Sequence, residues 1–245
     1  ERGIAAGHFD FLAMGRKLLA DPELPNKLAQ GQEKSVKPCI YCYTCVSQIF
    51  INKPVCCAVN HSTGREYEGD ILARTGAAKR ILVIGGGPGG MEAARLLAEK
   101  GHNVSLWEQE ADLGGTARIA GLAYSPNEKL VRYLADAVRA LPIALKLGFT
   151  GDPRNIAALN PDHIILATGA KRVAPDIPGK SQRHVFDGDL LRGLLFGSDP
   201  AALARLSRVQ RLVLAAGRWS QALRHIGLMR RLSKLWMPIA RDVVI

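Results

Sequence analysis

A short apolar run feeding a glycine-rich turn is the feature that most constrains this chain's fold. Ile81-Leu-Val-Ile84 is continuously apolar, the pattern of a strand buried on both faces of a parallel sheet. It leads into Gly85-Gly86-Gly87-Pro88-Gly89-Gly90, which contains G-x-G-x-x-G at Gly85, Gly87 and Gly90. The first glycine permits a tight turn, the second lets the backbone approach a pyrophosphate, and the third lets helix and strand pack closely. Met91 to Lys100 then reads as a helix whose N-terminus faces the phosphates. A second strand, Asn103 to Trp107, ends at Glu108, about 20 residues past the loop, where the dinucleotide fingerprint expects an acid. Its carboxylate is expected to accept hydrogen bonds from both ribose hydroxyls and to repel a 2′-phosphate. That favours FAD, NAD or ADP over NADP. The loop motif alone is weak, since a glycine turn can simply join strand to helix; its context carries the assignment.

Two later signals point toward a flavin. Leu113-Gly114-Gly115 provides a flexible backbone close behind the acidic strand end. Asp162-His-Ile-Ile-Leu-Ala-Thr-Gly169 is an apolar strand ending in Thr168 and Gly169, a return strand common in flavin-dependent reductases with two dinucleotide sites. Without its neighbours, Thr168-Gly169 is an ordinary strand exit.

All five cysteines precede this unit. Cys39, Cys42 and Cys45 follow a C-x2-C-x2-C spacing, and Cys57 comes after eleven intervening residues, with Cys56 beside it. Disulfides do not persist in a reducing compartment, so the clustering points to metal or redox work. Thiolates suit iron–sulfur clusters or zinc. Zinc ribbons pair two C-x-x-C knuckles, whereas here three cysteines stand together and one apart, which favours a cubane cluster. Either Cys56 or Cys57 completes the set on spacing alone; Cys56 on its own is expected to be a small buried residue.

The 245 residues and 47% hydrophobic content fit a globular chain with one large domain or two small ones. No apolar stretch reaches the length of a membrane span, and Glu1 to His8 lacks the basic start and apolar run of a signal peptide. The expectation is a cytoplasmic protein. Much of the net charge of +11 lies between Arg192 and Arg241, without an interleaved aromatic stacking pattern. It suggests a surface around anionic cofactors or protein and not a nucleic-acid interface. Leu223 to Trp236 forms a basic amphipathic pattern, read as packing against protein and not as a membrane contact. The start at Glu1 and the strand-like end Arg241-Asp-Val-Val-Ile245 suggest a fragment.

In this order the motifs resemble the multidomain NADH:flavin oxidoreductases related to 2,4-dienoyl-CoA reductase and trimethylamine dehydrogenase. The resemblance implies an α/β fold in four parts. Residues 1–33, strand-like through Phe9 to Met14, would be the end of an FMN-binding TIM barrel, carried by Phe9-Asp-Phe-Leu-Ala-Met-Gly-Arg16 and Leu19-Ala-Asp-Pro22. Residues 34–75 would be a 4Fe-4S segment, and 76–180 a Rossmann-like domain with a parallel sheet, holding FAD or ADP. Residues 181–245 would be a basic helical connection into a second, truncated dinucleotide domain for NAD(P)H. Gly15 and Arg16 become candidates for holding the FMN phosphate, in keeping with the phosphate site of a barrel, and the family's ligand run favours Cys57 as the fourth ligand. The cysteine spacing is closer to the amine dehydrogenases, whereas Gln48-Ile-Phe50 looks more like the reductases. The implied activity is electron transfer between a dinucleotide-bound flavin and FMN through the cluster, acting on a small enoyl-type or amine substrate in a homo-oligomer. A zinc-stapled nucleotide-binding protein without turnover is the rival reading. Catalysis by this chain alone is not expected.

Overall fold

The computed structural model of the chain describes residues 2–68, 76–170, 176–182, 184–196, 200–219 and 226–232. Two compact units emerge: residues 1–115 with 129–167, and residues 116–128 with 168–245. The cysteine segment thus shares a unit with the glycine loop, while Thr168 and Gly169 open the second unit.

In the first unit, helices α1 (Arg2–Ala5), α2 (Arg16–Ala20), α3 (Leu24–Ala29) and α4 (Thr44–Phe50) precede the sheet. Phe9 to Met14 forms no strand, against the sequence expectation. An extended run needs a ladder partner, and Phe11 is 90% exposed. The sheet then builds from β1 (Arg80–Ile84), β2 (Asn103–Glu108), β3 (Ile143–Leu147) and β4 (His163–Leu166). All pairings are parallel, in the order β3-β2-β1-β4. Chain order turns back beside β1, which places the glycine loop at a topological switch point, where ligands bind in open parallel sheets.

Helix α5 (Pro88–Glu99) starts with Pro88, whose missing N–H costs nothing in a first turn. It buries Met91, Ala94 and Ala98 at helical spacing. Helix α7 (Ser125–Ala140) buries Val131, Leu134, Ala135 and Val138. These side chains join Val83, Val104 and Leu106 of the sheet in one core, each large aliphatic group contributing about 2 kcal/mol by leaving water. Helix α8 (Pro153–Leu159) is capped at both ends, by Asp152 accepting the Asn155 N–H and by left-handed Asn160.

A polar network fixes the cysteine segment to helix α5. Buried Arg95 donates to Glu92 from Nε and from an Nη, each at 2.8 Å, and to Glu99 at 2.6 Å. Lys37 Nζ and His61 Nδ1 each lie 3.5 Å from the same Glu92 carboxylate. Behind them, buried Asp21 accepts the Lys37 N–H and Lys27 Nζ, both at 2.7 Å. Asn60 and Thr63 donate to the Leu19 carbonyl at 2.9 and 2.7 Å.

The second unit contains α6 (Gly115–Ala123) apart from its first residue, α9 (Gly188–Phe196), α10 (Pro200–Ala204), α11 (Arg208–Trp219) and α12 (Ile226–Leu232). Leu194, Ala202, Leu206 and Leu214 form its small core. Arg230 donates to the Gly121 and Leu122 carbonyls and to Glu128. Most of the amphipathic run Leu223 to Trp236 outside α12, and the strand-like end at 241–245, lie outside the described residues. No helix among the described residues is long and apolar enough to cross a membrane.

Burial, and then the nearby charge of Lys37, lower the His61 pKa from its ordinary 6.5. The unfolded chain therefore binds the His61 proton more readily than the folded one. The neutral ring favours the fold above about pH 6.5, and this contribution is lost as acidity carries the pH down through the depressed folded value. We expect urea midpoints to fall below pH 6.5 and His61→Gln to flatten that part of the profile. Glu92→Ala leaves Lys37 without its carboxylate and Arg95 with Glu99 alone, and should cost about 3 kcal/mol in the same measurement at neutral pH.

Candidate functional site

The glycine loop has the form its sequence predicts. A Cβ at Gly90 would stand 1.8 Å from the Gly85 carbonyl oxygen, so only glycine lets α5 approach β1 this closely. A Cβ at Gly87 would meet nothing within 4 Å, so the backbone there is bare on the side open to a ligand. Gly114 donates its N–H to the Gly86 carbonyl at 2.8 Å, and Gly115, with φ of 50°, lies against Gly87. Both glycines of the second signal thus line the first loop. Thr168 and Gly169 follow β4 in sequence and fall in the second unit, Gly169 with φ of 82°.

Glu108 is buried at the end of β2. Its Oε2 accepts the Gly86 N–H at 2.5 Å and its Oε1 the Glu110 N–H at 2.8 Å. The carboxylate therefore braces the loop itself, a role the sequence reading did not assign. Each oxygen keeps a further lone pair for a hydroxyl.

The cysteines form the second half of the site. Cys39, Cys42, Cys45 and Cys57 line one cavity together with Arg16, Tyr41 and Tyr43. Cys56 is exposed and outside it, so the expectation of a buried Cys56 is corrected: neighbouring residues in this extended stretch point opposite ways, and only Cys57 turns inward. Tyr41 and Tyr43 have φ of 52° and 60°, a left-handed backbone that costs a bulky residue about 1–3 kcal/mol. Two such reversals between the cysteines let thiols three residues apart face one space. The Tyr41 N–H points to Cys39 Sγ at 3.4 Å, and Thr44 Oγ1 lies 3.2 Å from Cys42 Sγ. No three His, Cys, Asp or Glu side chains among the described residues converge tightly enough for a single metal ion; the thiols surround a cavity instead.

Gly15 is exposed, and Arg16 turns toward the cysteines. Its guanidinium carbon stands 4.5 Å from the Tyr43 ring centre and 5.2 Å from that of Tyr41. Sequence spacing gave no signal of this, because the contact joins residues about 25 positions apart.

Fold and loop define a dinucleotide-binding protein. Residues 83–140 match the family model described as an NAD(P)-binding Rossmann-like domain. The chain is 41% identical over 187 residues to bilirubin reductase of Mediterraneibacter gnavus, a match covering 75% of this chain and 29% of that protein. It is 38% identical over 192 residues to an NADH oxidase of Thermoanaerobacter brockii, covering 76% and 29%. Among solved structures, 2-naphthoyl-CoA reductase in complex with 2-naphthoyl-CoA superposes with a TM-score of 0.74 at 32% identity, over 78% of this chain and 30% of that one. The chain belongs to the multidomain NADH:flavin oxidoreductase family of the 2,4-dienoyl-CoA reductase type. It spans under a third of the length of the curated relatives it matches.

Gly90→Ala should be among the most damaging single-methyl changes in this chain. The added carbon meets backbone, which cannot move aside like a side chain, so a loss of about 3 kcal/mol is expected. Urea unfolding together with FAD and ADP titration would check it; native stability in the variant would mean that α5 does not pack as described.

Proposed function

We propose that this chain is the electron-transfer section of an iron–sulfur flavoprotein oxidoreductase. The observation that carries the reading is the shared cavity of Cys39, Cys42, Cys45 and Cys57, in the same compact unit as a dinucleotide loop. Four thiolates around an open space suit a 4Fe-4S cluster. A single structural zinc is the rival occupant of the same four thiolates.

In this reading Gly85, Gly87 and Gly90 admit the pyrophosphate of FAD or ADP, and the N-terminus of α5 places N–H groups and a partial positive charge against it. Glu108 orients the adenosine ribose while holding the loop through Gly86. Gly114 and Gly115 shape the far wall, and Thr168 and Gly169, just after β4 in sequence, are the candidates for contacting the flavin. Gly15 is the candidate for the FMN phosphate, Arg16 beside it is turned to the cysteine cavity, and Tyr41 and Tyr43 limit water there. Bound there, flavins and cluster supply the means to split a hydride from NAD(P)H into single-electron steps toward an organic substrate.

The names of similar proteins favour the reductase direction: one acts on bilirubin, another is crystallised with 2-naphthoyl-CoA, and a third is named for NADH. The proposed substrate is accordingly a small conjugated or enoyl-type molecule, reduced at the expense of NAD(P)H by a homo-oligomeric cytoplasmic enzyme.

Anaerobic purification followed by iron, sulfide and zinc analysis tests the reading, with EPR after dithionite reduction. About four irons and four sulfides per chain are expected, with loss of iron in Cys57→Ser and full iron in Cys56→Ser. One zinc without sulfide would sink the electron-transfer assignment in favour of a structural site.

A further inference from the structure

Arg16 is the one cation on the wall of the cysteine cavity. Two tyrosine faces hold its guanidinium, at 4.5 and 5.2 Å from their centres. One terminal nitrogen, Nη1, is shielded from solvent and has no hydrogen-bond partner. A buried guanidinium N–H left unpaired is costly. The two stacked rings belong to the left-handed residues that aim the thiols. One local geometry therefore sets both the cysteines and the cation.

We propose that Arg16 is a positioning and tuning residue of the cysteine site: its unpartnered Nη1–H is a donor to a ligand sulfur, and its fixed charge favours the reduced form of the bound cluster. The inference rests on the electron-transfer reading above and adds a residue outside the ligand set. Taking up one electron there, from the reduced flavin of that reading, adds one negative charge to a site already holding four thiolates. No bond is made or broken and no proton is needed. A guanidinium stays protonated throughout, so it can offset that charge without titrating. Net charge and hydrogen bonds to sulfur are among the levers that set iron–sulfur potentials. Clamping by Tyr41 and Tyr43 keeps the charge at the sulfur side and resists its swinging into water, where its effect would be screened.

The test is an EPR-monitored redox titration of the anaerobically purified intact protein, comparing wild type with Arg16→Ala. The expected result is unchanged iron and sulfide content with a midpoint lowered by about 59 mV, a tenfold weaker one-electron reduction. Arg16→Gln keeps an N–H donor without the charge and should fall between the two. If Arg16→Ala fails to load iron, Arg16→Gln carries the comparison, and a lowered midpoint in it still supports the proposal. A wild-type midpoint in every loaded variant overturns it while leaving the electron-transfer reading intact. A wild-type protein without iron and sulfide would instead remove the reading on which it rests. Tyr43→Leu, which removes a stacked face and leaves every thiol in place, should lower the midpoint in the same direction.

Discussion

The Glu92 carboxylate holds the two halves of the candidate site to one helix. It lies in α5, less than two turns past Gly87, and gathers Arg95, Lys37 and His61. Lys37 is two residues ahead of Cys39, and His61 is four beyond Cys57. Both ends of the cysteine segment are therefore fixed to the helix that begins at the dinucleotide loop. Apolar packing alone would let the segment slide, because it has little direction. Hydrogen-bonded ions have direction, and Asp21 adds a further fixed point by taking the Lys37 N–H. Although burial opposes its charge, Glu92 keeps its pKa below the ordinary value, through Arg95 and then Lys37. The knot thus stays ionised through the neutral range.

What the sequence made legible was local in chain distance. Ile81 to Ile84, the three spaced glycines, and Glu108 at the end of the next strand all sit within one βαβ unit, where period and turn chemistry speak directly. The cysteine spacing announced a site in the same way, and Cys57 proved to be the inward residue of its pair. Less legible was anything joining distant stretches. The stacking of Arg16 on Tyr43, the convergence of Lys37 and His61 on Glu92, and the bracing of Gly86 by Glu108 carry no periodic signature. Phe9 to Met14 shows the opposite failure: its residues favour a strand, but β structure is a property of a pair, and the run has no partner here. On β4, Leu166 is 73% exposed although the run Ile164-Ile-Leu166 reads as buried. An apolar pattern reports that a face expects cover, and does not name the element that supplies it.

The sheet and the cysteine segment obey local rules very differently. In the sheet, caps, helical spacing and register agree with one another, as expected of a scaffold. Among the described residues, the non-glycine left-handed positions are Tyr41, Tyr43, Asn52 and Asn160. Asparagine tolerates that backbone and tyrosine does not, so the two costly positions both fall between the cysteines. The unpartnered Arg16 nitrogen borders the same cavity. Breaks in local consistency concentrate where function imposes its own geometry. In the proposed reading these departures share one requirement, an anionic centre ringed by thiolates: the reversals aim the sulfurs inward, the rings fix a cation beside them, and the unpaired N–H finds its acceptor there.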